Sequence, residues 1–478
     1  MINAPVIFWF RQDLRLADNP ALAAAAQQGT VVPIYILDDE QAGKWGMGAA
    51  GRWWLHRSLQ KLEQQLQGHL RFFSGNAGDI LPQLTREVGA PRVFWNRCYE
   101  PWRVECDRQI KEGLNRTGIE VKSFNASLLW EPWEVLKGDG TPYKVFTPYY
   151  RKGCLGRNVP RTPVDSVLSL RHQPFRELSG SCRLDELGLL PPHPWYKKLE
   201  QHWQPGEQGA TRRLGDFIAN GLGGYRQGRD FPALEQTSRL SPSLHFGELS
   251  PHQVRQAILS AAGEVQEDDL DHFLSELAWR EFSYYQLYHS PHLPDRPVRE
   301  EFVRFPWVHD EQGLRLWQQG MTGYPLVDAG MRELWQTGFM HNRVRMVVGS
   351  FLVKNLLLPW QQGENWFRDC LVDADLASNA ASWQWVAGCG ADAAPYFRIF
   401  NPVTQGQKFD PHGDYVRRYV PEIAALPNKY LHAPWTAPGE LLEQLGIILD
   451  RDYPRPLVEL KSSRQRALDA YQQMRHSS

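Results

Sequence analysis

Over the first 130 residues, short runs of β-branched and aromatic residues alternate with longer stretches of helical periodicity, and this predicts a parallel, doubly wound sheet. The predicted strands are 6–10, 31–37, 70–73, 92–96 and 121–124, and 52–66 carries apolar residues at helical spacing. The first strand is followed by Arg11-Gln12-Asp13-Leu14-Arg15-Leu16-Ala17-Asp18-Asn19-Pro20, where Asn19 is placed to cap a helix that opens at Pro20. No Gly-x-Gly-x-x-Gly follows that strand, which argues against a nicotinamide dinucleotide site of the usual kind.

Periodicity fades from about 131 to 204, where Pro160, Pro163, Pro174 and Pro191-Pro192-His193-Pro194 read as a long connector. From Thr211 onward helical patterns dominate and β-branched alternation nearly vanishes. The expected organisation is an α/β domain over 1–130, a Rossmann-like doubly wound parallel sheet, then a connector over 131–204 and an all-α domain over 205–478.

Composition narrows the function classes. Lys and Arg number 53 against 54 Asp and Glu, so any nucleic-acid binding has to come from a local patch. The longest apolar runs are too short to cross a bilayer, and the N-terminus lacks a basic region followed by an apolar stretch; a cytoplasmic, monomeric protein with no membrane partner is expected. Six scattered cysteines without a Cys-x-x-Cys pair read as reduced thiols, and only Cys370 and Cys389 lie beyond residue 200, which excludes a four-cysteine iron–sulfur cluster there. No metal site is expected. The 19 tryptophans are the unusual quantity, with surfaces suited to packing, base stacking or electron transfer.

Three clusters in the helical part carry polar residues in unusual places. In Leu274-Ser275-Glu276-Leu277-Ala278-Trp279-Arg280, Glu276 and Arg280 sit four apart with Trp279 beside them, a pattern that also suits a plain surface ion pair. In 341–351, Asn342, Arg345, Met346 and Gly349 form one stripe, Val344, Val347, Val348 and Phe351 serve the core, and Gly349 leaves room for something flat. The third is Asp373-Ala374-Asp375, followed by Asn379, Trp383 and Trp385, where the carboxylates suit either a helix cap or a ligand. Upstream, Gly223-Gly224-Tyr225 and Thr237-Ser238-Arg239-Leu240-Ser241 supply hydroxyls, backbone amides and an arginine suited to phosphates.

Together these residues resemble the photolyase/cryptochrome family along essentially the whole chain, from Phe8-Trp9-Phe10-Arg11 to Phe400-Asn401-Pro402. The most specific stretches are 322–334, beginning Thr322-Gly323-Tyr324-Pro325, and 342–361, with Gly349 where the family usually has a slightly larger residue. The resemblance implies an antenna domain and a helical domain that holds a U-shaped FAD. It also implies blue-light repair of cyclobutane pyrimidine dimers in DNA, by electron transfer from reduced FAD to the flipped-out dimer. Tyr225 and Thr237, Ser238, Arg239, Leu240 and Ser241 would hold the diphosphate side. Glu276, Arg280, Asn342, Arg345, Asp373, Asp375 and Asn379 would surround the flavin and adenine, with Arg345 and Asp373 paired. Glu276 would hydrogen-bond the dimer, Trp279, Trp385 and Met346 would pack against it, Asn342 would face it, and Arg229, Arg343 and Gln405 would touch the DNA backbone. Trp383, Trp360 and Trp307 match the family's electron-relay tryptophans. His341 is turned about 100° from Asn342 and should not reach the same substrate.

A cryptochrome photoreceptor is the rival reading; the retained Glu276, Trp279 and Met346, Asn rather than an acid at 379, and an end at Ser478 without a long signalling tail weigh against it. A light-independent nucleotide-binding or scaffold protein of this fold would show eroded flavin contacts, and none is eroded. A second, antenna chromophore is expected near Trp95-Asn96-Arg97-Cys98-Tyr99-Glu100-Pro101. Glu100 suits a pterin and Cys98 stands where deazaflavin wants an acid, which favours methenyltetrahydrofolate.

Overall fold

The structure, a computed structural model, describes residues 4–157, 159–166 and 177–476. By contact the chain divides into two compact units, each assembled from separated stretches: 1–223, 238–291 and 372–376 in the first, 224–237, 292–371 and 377–478 in the second.

The first unit is built on a five-stranded parallel sheet: β1 (Pro5–Phe10), β2 (Thr30–Leu37), β3 (Arg71–Ser74), β4 (Arg92–Asn96) and β5 (Glu120–Phe124), in the order β3-β2-β1-β4-β5. Each predicted strand is present within one residue at either end. β1, β2 and β4 are buried on both faces, as their unbroken apolar runs require. Pro33 is tolerated inside β2 because pairing with β3 begins only at Ile34. On one face Ile7, Trp9, Ile34 and Val93 pack with Leu81, Leu84, Ile110 and Leu114 of the helices Ala77–Val88 and Pro101–Arg116. Asn19 caps the helix Pro20–Gln28 as expected, accepting from Leu22 N–H at 3.1 Å.

The proline-rich stretch is packed into this unit: Val135, Phe146, Tyr149, Tyr150 and Cys154 are buried, and Tyr149–Cys154 forms a wide π turn. Pro174 lies outside the described residues. Helices dominate from Glu207–Asn220 onward.

In the second unit the stretch 322–334 is folded around one carboxylate. Asp328 is fully buried and accepts from Thr322 N–H and Oγ1, Gly323 N–H and the Tyr453 hydroxyl. Gly323 needs its left-handed φ of 78°, and a Cβ there would lie 2.3 Å from the Arg455 carbonyl oxygen. Among the described residues no helix is long and apolar enough to cross a membrane, and no cluster could hold a metal ion.

The C-terminal end of β1 is fixed by a bidentate pair. The Arg11 guanidinium donates to both oxygens of Asp107, at 2.6 and 2.9 Å, and Trp95 Nε1 donates to the same carboxylate; the Arg11 side chain is 2% exposed. Removing one partner strands a buried charge, so Asp107→Ala is expected to cost about 3–5 kcal/mol, read as a lowered thermal midpoint. The double substitution Arg11→Met/Asp107→Leu should recover most of that loss.

Candidate active site

The helix Glu267–His289 buries Leu270, Phe273, Leu277 and Phe282 and leaves Glu276, Trp279 and Arg280 half-buried on another face. Trp279 lies flat on Phe146, with centroids 3.8 Å apart and planes at 13°. Arg280 donates to the Ser127 carbonyl at 2.8 Å and stands over the Tyr284 ring at 4.7 Å. Arg280 also pairs with the carboxylate of Glu281, the next residue, at 3.4 Å. Glu281 accepts from Leu129 N–H at 2.7 Å, and burial pushes its carboxyl up to about 7 against the pull of Arg280.

The paired aspartates reach out to side chains distant in sequence. Ser241 Oγ donates to Asp373 Oδ2 at 2.6 Å, the Tyr284 hydroxyl donates to Asp375 Oδ2, and the His245 ring nitrogen lies 3.5 Å from that oxygen. Burial alone would raise the Asp375 carboxyl, but His245, the Arg280 charge and Tyr284 outweigh it and hold it well below the usual carboxylate range. Of the upstream loop, Leu240 is buried, Arg239 has a left-handed φ of 50°, and Ser241 opens the short helix Ser241–His245.

In the second unit, Tyr225 is buried behind Gly224 and Arg229 stands over its ring at 5.5 Å. Thr237 is half-buried. The helix Asn342–Ser350 buries Val344, Val347 and Val348, leaves Asn342 exposed and keeps Arg345 and Met346 half-buried, as its spacing predicts. His341 is its buried N-cap and accepts from Arg343 N–H. Arg345 donates to the Met340 carbonyl at 2.7 Å and covers the Phe339 ring. Arg343 pairs with Asp230 at 2.7 Å and stands over Phe409, on the helix Pro402–Phe409 that also carries Gln405. Asn379 donates its amide to the backbone and carboxylate of Glu364, so its carbonyl is the group it presents.

The flat group expected at Gly349 is part of the protein: a Cβ there would meet Val386 at 3.2 Å and the Trp383 indole at 3.6 Å. Trp383 packs on Phe367 at 5.0 Å and lies against Gly363, one helical turn beyond Trp360. Val308 N–H donates to the Leu357 carbonyl, which joins the segment of Trp307 to that leading into Trp360. Trp383 and Trp360 are buried, while Trp307 and Trp385 are half-buried.

Thus the fold joins Asp373 with Ser241, Asp375 with Tyr284 beneath the Arg280 guanidinium, and Arg343 with Asp230, the residue after Arg229. Sequence reasoning missed Tyr284, His245, Glu364, Asp230 and Phe146. Only Tyr284 carried a local signal, four residues beyond Arg280 on the same helix.

Comparison with known proteins agrees with this architecture. The family described as DNA photolyase matches residues 6–165, and that described as the FAD binding domain of DNA photolyase matches 273–473. The chain is 48% identical to a deoxyribodipyrimidine photo-lyase of Agrobacterium fabrum over 98% of both chains. It is 39% identical to cryptochrome-1 of Arabidopsis thaliana over 98% of this chain and 70% of that one. The crystal structure of a class III photolyase from Agrobacterium tumefaciens superposes with a TM-score of 0.96 at 47% identity, covering 100% of this chain and 98% of that one. The chain belongs to the DNA photolyase family. It is an enzyme of the photo-lyase type, and its C-terminal part is the family's FAD-binding domain.

Because Glu281 is raised from 4.5 to about 7, its neutral form stabilises the fold at acid pH and that contribution is lost as pH climbs through 7. Stability is therefore expected to fall by about 1–3 kcal/mol between pH 5 and 8, and Glu281→Gln to flatten the profile in thermal melts across that range.

Proposed function

We propose that this enzyme splits cyclobutane pyrimidine dimers in DNA under blue light. The observation that carries the reading is the polar face of the helix Asn342–Ser350: it turns Asn342 and Met346 outward, while the neighbouring histidine is buried as the helix cap. Neither outward side chain titrates, so the face suits a reaction that needs an apolar wall and hydrogen bonds rather than proton delivery to a leaving hydroxyl.

The residues present fit FAD. Thr237, Ser238, Arg239 and Ser241 are the donors that phosphates require, Tyr225 and Leu240 belong to the same proposed set, and the buried Asp373 and Asp375 suit N–H and hydroxyl donors of the cofactor. Arg280, Arg345, Asn342 and Asn379 complete the set. When bound, FAD supplies light absorption and the electron that opens the dimer. The protein's own groups bind, orient and exclude water. Arg345 places a positive charge that favours a negatively charged flavin, and the Asn379 carbonyl adds a neutral acceptor. Glu276 would donate from its carboxyl O–H to the dimer's carbonyl edge where negative charge develops. Trp279, already backed by Phe146, offers a rigid stacking surface, and Trp385 and Met346 serve as further apolar walls. Arg229, Arg343 and Gln405 contact phosphates around the extruded lesion; Asp230 orients Arg343 for this. Trp383 and Trp360 are buried and Trp307 is half-buried, which suits a relay that ends toward the surface.

For the antenna we favour methenyltetrahydrofolate. Glu100 is buried with one oxygen held by Gln12 at 2.8 Å, while its Oε2 has no protein partner among the described residues. Burial pushes the Cys98 thiol up to about 11, so it stays neutral where deazaflavin wants an acid. All six cysteines are free thiols, which fits a monomer working in the cytoplasm.

Illumination of the reduced enzyme with two oligonucleotides, one bearing a cyclobutane dimer and one a (6-4) photoproduct, followed by chromatography, tests the reading. The cyclobutane strand alone should be restored, and Glu276→Ala should lower its yield about tenfold with flavin still bound; restoration of the (6-4) strand, or of neither, would overturn it. Trp383→Phe is expected to block light-driven reduction of oxidised flavin yet spare repair after chemical reduction; photoreduction at the wild-type rate would rule the relay out.

A further inference from the structure

Asp375 is a buried, ionised carboxylate, 7% exposed, and one of its oxygens has two identifiable neighbours. The Tyr284 hydroxyl donates to Oδ2, and the His245 ring nitrogen stands 3.5 Å from it. Tyr284 is itself buried, 3% exposed. Its ring is covered on one side by the Arg280 guanidinium at 4.7 Å and met edge-on by Tyr99 at 6.0 Å and 86°. Tyr99 is tethered in turn through its hydroxyl to Glu131. Arg280 and Tyr284 are four residues apart on the rigid helix Glu267–His289, so the cation over the ring and the hydroxyl on the carboxylate move as one piece. No step of the proposed repair reaction touches Tyr284.

We propose that Tyr284 is a positioning residue, which fixes the orientation and the charge of Asp375 toward the cofactor. The inference rests on the reading of Asp375 as a flavin-holding residue. A buried carboxylate can turn its two oxygens only if nothing ties them down; the Tyr284 hydroxyl ties one, and the clamped ring keeps that hydroxyl in place. The same bond helps hold Asp375 below the usual carboxylate range, so its removal raises the proton affinity of the site.

The test compares FAD affinity and the visible spectrum of bound flavin in wild type, Tyr284→Phe, Asp375→Asn and the double variant, from pH 5 to 8. Phenylalanine keeps the ring under Arg280, and far-UV circular dichroism checks that the fold is retained. Tyr284→Phe is expected to bind FAD about tenfold more weakly at pH 7, the size of one hydrogen bond to a charged group. That deficit should stay level from pH 5 to 8, because His245 and the Arg280 charge still hold Asp375 below the usual carboxylate range. Asp375→Asn should be weaker still and flat with pH, and adding Tyr284→Phe to it should change nothing further. If Asp375→Asn weakens FAD while Tyr284→Phe matches wild type in affinity, spectrum and pH profile, the positioning role is wrong and the reading of the pocket stands. Additive losses in the double variant would also overturn it, because Tyr284 would then act independently of Asp375. If Asp375→Asn binds FAD as wild type does, both readings fall together.

Discussion

Arg15 is fully buried, and the first unit is organised around satisfying it. Its guanidinium donates to the carbonyls of Asp18, Ala126 and Gly247, each reached at 2.8 Å, so one side chain joins the loop after β1 to segments more than 100 and 200 residues away. Burial lowers its proton affinity and the neighbouring Asp18 carboxylate opposes that loss. Asp18 is held in turn by Arg161 at 2.5 Å, by Val164 N–H and by the Ser250 hydroxyl. The carboxylate of Glu207 accepts from the N–H groups of Leu16 and Ala17, at 2.9 Å each. A desolvated guanidinium with any of these carbonyls withdrawn would be costly, and the whole set therefore forms together or not at all. This is why the stretch 238–291, which reads as part of the helical domain, belongs to the same compact unit as the sheet.

Charge burial recurs elsewhere in the chain. Asp373, Asp375 and Asp328 are all buried carboxylates, and each is tied by hydroxyls from elsewhere in the chain: Ser241, Tyr284, and the Thr322 and Tyr453 pair respectively. Hydroxyl donors stabilise a carboxylate without cancelling its charge, and at Asp375 the His245 ring and the Arg280 charge add to them. Arg343 shows the opposite arrangement, with its charge partly matched by Asp230.

Much of this was legible in the sequence because it is periodic or local. Apolar runs placed all five strands within a residue, Asn19 before Pro20 marked a helix start, and the stripe through Asn342, Arg345 and Met346 sorted the two faces of its helix. Chemistry at fixed spacing supplied the candidate site, and the family resemblance sharpened it. What stayed hidden depends on chain segments meeting across large separations. Phe146 reaches Trp279 across 133 residues, Ser241 reaches Asp373 across 132, and no periodicity records either meeting. Glycine was the other blind spot: the space at Gly349 was visible, but its occupants, Val386 and an indole 34 residues further on, were not.

Gly363 takes that last point further. A Cβ at this position would lie 2.1 Å from the Trp383 ring, inside the ring's own van der Waals envelope. Every missense change that one base can make in a glycine codon adds at least that carbon. The position has no mild neighbour in the genetic code: each accessible variant begins by displacing a buried indole, so drift at 363 must wait for a compensating change at 383.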